Sequence, residues 1–144
     1  MLASLPIINA IIGEEILPTA LEECTKKAIK IRYCNKNQDE MTIRKAKLEE
    51  IKFYGKSIYY FKPCEEIIGK GKNQVIDVLK GLNYSYTDNE EDSFFYIKTR
   101  IKLFDDLKLS NDLKSIIYLI DFPGYSTNNI FVKNHIYEKI LSFF

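Results

Sequence analysis

At 144 residues, with 46% apolar and 28% charged residues, the chain is long enough for one hydrophobic core and too apolar for disorder to be its default state. Twenty-one Lys plus Arg against twenty Asp plus Glu leave a formal charge of +1, so no global field recruits nucleic acid or acidic lipid. The longest apolar run, residues 116–120, is far shorter than the ~20 residues of a spanning helix, and Glu14, Glu15, Glu22 and Glu23 replace the charge pattern of a signal peptide. A cytosolic chain is expected.

Ile7, Ile8, Ile11 and Ile12 recur with helical spacing and Gly13 follows where a C-cap would stand, which predicts a helix over residues 5–12. Residues 14–27 have no period and read as an ordered loop. Residues 28–33 alternate Ile29, Ile31 and Tyr33 with Ala28, Lys30 and Arg32, a half-buried strand, and the polar residues 35–40 turn the chain. Residues 41–46 and 51–61 are β-type, with Gly55-Lys56 breaking the second into a hairpin. Val75, Ile76, Val78, Leu79 and Leu82 predict a helix over residues 72–82. Asp88-Asn89-Glu90-Glu91-Asp92 is an acidic loop without the spacing of a calcium site. Phe95, Ile97, Thr99, Ile101 and Leu103 alternate with Tyr96, Lys98, Arg100 and Lys102, a strand with one basic face over residues 95–103. Val132, Ile136 and Ile140 form a helical stripe that runs to Phe144.

Cys24, Cys34 and Cys64 lack metal-ligand spacing and are odd in number, as free thiols in a reducing compartment would be. His135, the single histidine, falls in a helical pattern remote from any motif and reads as a packing or solvent-facing residue.

The most informative segment is Ile116-Ile117-Tyr118-Leu119-Ile120-Asp121-Phe122-Pro123-Gly124. An apolar run bounded by turn residues predicts a strand buried on both faces that delivers Asp121 at its tip, where open α/β sheets bind ligands. This spacing suits γ-phosphate sensing: the acid holds the Mg²⁺ shell, and a Gly three residues on offers an unhindered N–H to the terminal phosphate.

Ile8-Asn9-Ala10-Ile11-Ile12-Gly13-Glu14-Glu15-Ile16-Leu17-Pro18-Thr19, then Glu23-Cys24-Thr25 and the strand over residues 28–33, resembles the start of a dynamin-superfamily G domain. Asp121-Phe122-Pro123-Gly124 resembles that family's third G motif. The resemblance implies a partial P-loop-NTPase-like α/β fold, a three-layer sheet with helices on both faces. It also implies GTP and Mg²⁺ as cofactors. By that resemblance Thr25 is the switch-one threonine, catalytic and a metal ligand. Asp121 binds cofactor and holds Mg²⁺ through water, and Gly124 meets the γ-phosphate. Tyr125 falls where many small GTPases carry a water-orienting Gln. Family function would be GTP hydrolysis coupled to membrane remodelling. Self-association would occur in the full-length parent, membranes would be reached indirectly through other modules, and the location would be cytoplasmic, peripheral to membranes.

The family's phosphate loop ends in Gly-Lys-Ser before the first helix, and those positions here are Ala3, Ser4 and Leu5. Gly55-Lys56-Ser57 is a decoy, because Glu50 stands where the pattern needs Gly. No base-reading Asn/Thr-Lys-x-Asp follows Asp121. Residues 1–144 are therefore expected to be a partial G domain, lacking its first strand, phosphate loop and last strands, and unable to bind GTP alone. A non-enzymatic pseudo-GTPase fragment and an unrelated α/β interaction domain are the alternative readings.

Overall fold

The computed structural model describes residues 7–17, 28–81 and 93–121. In chain order these form α1 (Ile7–Ile12), β1 (Ile29–Tyr33), a 3-10 turn (Gln38–Glu40), β2 (Thr42–Phe53) and β3 (Lys56–Lys70). They continue with α2 (Lys72–Lys80), β4 (Ser93–Thr99), α3 (Lys102–Asp106), α4 (Asn111–Ile116) and β5 (Tyr118–Asp121).

The five strands make one mixed sheet in the order β3-β2-β4-β1-β5. β1 and β4 run parallel in register Ile29↔Phe95 to Tyr33↔Thr99, and the other three pairings are antiparallel. Period-two alternation divides the strand residues between two faces. Ile29, Ile31, Ile43, Phe95 and Ile97 pack against Ile12, Val75, Val78, Leu79, Ile101 and Phe104, the inward residues of α1, α2 and α3 with the residue before α3. Ala28, Ala46, Phe61, Phe94 and Tyr96 form a smaller cluster on the opposite face. The molecule is thus α/β with a mixed sheet, as the sequence implied. The helix expected over residues 132–144, the loop at 88–92, His135 and Cys24 lie outside the described residues. Cys34 and Cys64 are free thiols.

β3 is longer than the pattern suggested. Register shifts opposite Ile43, Arg44 and Ala46 mark bulges in which Arg44 donates to the carbonyls of Cys64 (3.3 Å) and Glu65 (2.8 Å). The guanidinium satisfies carbonyls that the irregular ladder leaves unpaired, so the strand continues past Pro63.

Two expectations are corrected. The strand read over residues 95–103 stops at Thr99. Arg100 Nε bonds Asp105 (2.7 Å) and bends the chain into α3, where Lys102 pairs with Asp106 at helical i,i+4 spacing (2.5 Å). Ile101 is buried under the helix layer, so its hydrophobicity continued the alternation without continuing the strand. Lys98, Arg100 and Lys102 do not form one basic row. The strand read over residues 116–120 begins at Tyr118, because Ser110 Oγ accepts from Leu113 N and caps a helix that runs through Ile116. β5 is half-buried, not covered on both faces, and among the described residues it is the last strand on its side of the sheet.

Candidate functional site

β5 pairs with β1 antiparallel, and its last residue, Asp121, stands directly opposite Ile29, the first residue of β1. Opposed residues of an antiparallel pair share a face, so Asp121 points with Ile29 toward the helix-covered side of the sheet. Burial raises its carboxyl above the usual range. An apolar strand that ends in an acid, aligned by one register to the start of another strand, is why this carboxylate is held at a fixed place.

Thr25 and Gly124 lie outside the described residues. In the sequence Thr25 precedes Ile29 by four positions and Gly124 follows Asp121 by three. Among the described residues no group of three or more His, Cys, Asp or Glu could hold a metal ion, and no helix is long and apolar enough to cross a membrane. A lone carboxylate of this kind can orient metal-bound water but cannot cage a cation.

Asn9 escaped the sequence reading. The isoleucine stripe of α1 was expected to face inward as a unit, yet Ile7 is 75% exposed and Asn9 is buried, at 4%. The Asn9 amide donates to Leu17 O (2.9 Å), and its Oδ1 accepts from Ile16 N (3.1 Å) and Leu17 N (2.8 Å). Gly13 N and Glu14 N bond the carbonyl of Asn9 at 2.8 and 3.2 Å. One residue thus folds the segment after α1, as far as Leu17, back on the helix. An amide within an otherwise apolar helical stripe was the available signal.

Beside this clamp an open depression of about 470 Å³ is lined by Asn9, Ala10, Gly13, Glu14, Glu15 and Lys72. Lys72 is paired with Glu14 at 2.7 Å, and two glutamates make it a poor seat for phosphate.

At the far end of β1, Asp105 gathers Tyr33 Oη (2.6 Å), Arg100 Nε (2.7 Å) and Lys114 Nζ (2.9 Å). Desolvation pushes the Asp105 carboxyl up, but the hydrogen bonds from Tyr33, Arg100 and Lys114 outweigh it and hold the group well below the carboxylate range. The network joins β1, α3 and α4 about 13 Å along the strand from Ile29, remote from Asp121.

A family model of the dynamin family matches residues 6–142. The chain belongs to the dynamin family. No curated protein matches it. The match takes in the paired ends of β1 and β5 and the residues of the Asn9 clamp. Dynamin-family GTPase domains in general bind GTP with Mg²⁺, and in this chain the matched span includes β5 and its last residue, Asp121.

Proposed function

We propose that this chain is part of a dynamin-family GTPase domain in which Thr25, Asp121 and Gly124 meet Mg²⁺ and the terminal phosphate of GTP. The observation that carries the reading is the Ile29↔Asp121 pairing, which joins the strand that follows Thr25 in the sequence to the strand that precedes Gly124. Asp121, desolvated and at the strand tip, would orient metal-bound water. The Gly124 N–H would donate to the γ-phosphate and the Thr25 hydroxyl would complete the metal's oxygen shell. When bound, Mg²⁺ supplies neutralisation of the phosphate charge.

In the family the phosphate cradle comes from a Gly-rich loop with Lys and Ser, and residues 1–144 contain no such sequence. Charge-assisted contacts to phosphate contribute about 1.5–3 kcal/mol each, so the 144-residue chain binds GTP roughly a thousandfold or more weakly than a chain with that loop. In its full context we assign the domain to membrane remodelling in the cytoplasm, with self-association of the parent and membrane contact through other modules. β5 is a sheet edge among the described residues, which leaves room for a loop-bearing strand beside Asp121.

Calorimetric titration with GTP and Mg²⁺, of the chain and of a chain with the loop supplied, tests this. Binding restored by the loop and weakened by Asp121→Ala supports the assignment. Micromolar binding by the chain as it stands, abolished by Asp121→Ala, would show that another group performs the role of the absent lysine.

A further inference from the structure

Among the described residues, the β2–β3 hairpin extends beyond its pairing with β4. β4 pairs with β2 only as far as Lys47↔Ser93, whereas β2 and β3 continue together through six further rungs, Leu48↔Phe61 to Phe53↔Lys56. At 3.3 Å per rung, these rungs run about 20 Å past the last described neighbour. A two-stranded ribbon by itself is marginal in water, and this one presents its side chains unequally.

Opposed residues share a face, so Ile51, Ile58, Phe53 and Tyr60 lie together on one side, each between 38% and 58% exposed. On the other side Leu48 and Phe61 belong to the smaller core cluster and Tyr59 stands opposite Glu50, while toward the tip Lys52 Nζ reaches Ser57 Oγ (3.0 Å) and Glu50 (3.2 Å), and Ser57 donates to Glu50. Tyr54 crowns the tip at 91% exposure, edge-to-face with Phe53 at 4.5 Å between centroids.

The turn is informative. Tyr54 and Gly55 have φ of +49° and +74°, the positive pair a two-residue I′ hairpin needs, and Asn or Asp is the favoured first residue. A bulky aromatic in the left-handed region is strained, so folding alone does not account for Tyr54 at this apex.

Charge selects the occupant. Residues 47–62 carry Lys47, Lys52, Lys56 and Lys62 against Glu49 and Glu50, while the whole chain is only +1. Lys47 and Lys62 face each other at the base of that side, Glu49 lies opposite Tyr60 and Lys56 stands at the tip opposite Phe53, so three lysines and one glutamate surround the exposed hydrophobics. A second copy laid on this face would bring three lysines against three with one glutamate from each copy to offset them, a net repulsion. An anionic lipid surface accepts both features: aromatic rings settle at the acyl–headgroup boundary and lysines reach the headgroups.

We propose that the β2–β3 ribbon is a membrane-interface element that lies on anionic lipid with Ile51, Phe53, Tyr54, Ile58 and Tyr60 facing the bilayer. It acts through the ribbon itself and needs no nucleotide, so it stands apart from the GTP assignment.

The test is vesicle sedimentation of the 144-residue chain without nucleotide, with pure phosphatidylcholine and with equal parts phosphatidylcholine and phosphatidylserine. Binding is expected to the mixed vesicles only. The chain contains no Trp, so Tyr54→Trp places a single reporter at the tip, and its emission should shift to the blue on binding. Tyr54→Asn installs the preferred Asn-Gly turn and should leave the circular dichroism unchanged while weakening binding about tenfold. Lys56→Gln and Lys62→Gln should weaken it roughly fivefold each. Equal binding to both vesicles, an unshifted emission, or full binding by folded Tyr54→Asn would overturn the proposal. A concentration-dependent dimer dissolved by Tyr54→Asn would overturn it too, by assigning the face to a second copy.

Discussion

Replacing Asn9 with Ala removes one acceptor shared by Ile16 N and Leu17 N and one donor to Leu17 O, and leaves three backbone groups without those partners. A buried group that loses its partner costs about 1–3 kcal/mol. The adjoining depression is open, so water can relieve part of that, and the lower figure applies: about 3 kcal/mol for three groups. Alanine returns roughly 0.5 kcal/mol as the better helix former, for a net loss of about 2.5 kcal/mol. That is a large fraction of the ~5–15 kcal/mol typical of a domain. With a urea slope of about 2 kcal/mol/M, the unfolding midpoint should fall by about 1.2 M. Ala10→Ser, one residue away and exposed, is the control and should stay within about 0.5 kcal/mol. A loss below about 1 kcal/mol for Asn9→Ala would refute the clamp, because the segment after α1 would then be held by something other than this amide.

Lys30 is buried, at 8% exposure, with its ammonium 4.3 Å from the Tyr118 ring centroid and 5.4 Å from that of Phe61; burial, then repulsion from Arg32, lowers its pKa to about 8. A lysine depressed on folding adds stability fully only above its unfolded pKa and loses it as pH falls toward 8, so urea midpoints should rise between pH 8 and 10, and Lys30→Met should abolish that rise and stabilise the protein by about 1–3 kcal/mol at pH 7. Asp105 is depressed instead, so its contribution is present above about pH 4 and is lost as pH falls further; Asp105→Asn should cost roughly 1–2 kcal/mol at pH 7 and flatten acid denaturation below pH 4. Gly13 has φ +87°, and a Cβ there would meet Lys102 Cβ at 2.8 Å, so Gly13→Ala should lower the melting midpoint by an amount equivalent to about 2 kcal/mol; an unchanged midpoint would contradict the close approach of α1 and α3.

What the sequence revealed depended on whether the controlling interaction was local. Gly55 marked the hairpin because positive φ is a local demand, and the acid closing an apolar run placed Asp121 at a strand tip. The extent of β3 was hidden because Pro63 and the charges after it carry no strand periodicity. Arg44, from the neighbouring strand, repairs the ladder there, and no one-dimensional pattern encodes that. Ile101 and Leu103 kept strand periodicity by coincidence, while the Arg100–Asp105 pair turned the chain. Thr25 and Gly124 were assigned by resemblance and lie outside the described residues, so Asp121 is the one proposed site residue whose surroundings are on view.

The parallel pairing of β1 with β4 also bears on how the molecule assembles. Ile29 must find Phe95, 66 positions further on, whereas β2 and β3 meet across the two residues Tyr54 and Gly55. Closing the short loop is fast, on the order of microseconds for a hairpin, and the long closure pays more chain entropy before any contact rewards it. The difference in loop length therefore predicts that the ribbon forms early and the β1–β4 pairing late. Substitutions at Ile43 or Phe61 should slow refolding, while those at Ile31 or Leu119 should mainly hasten unfolding. Until β4 arrives, β2 offers an open edge to any other chain in solution, so refolding yield should drop as protein concentration rises.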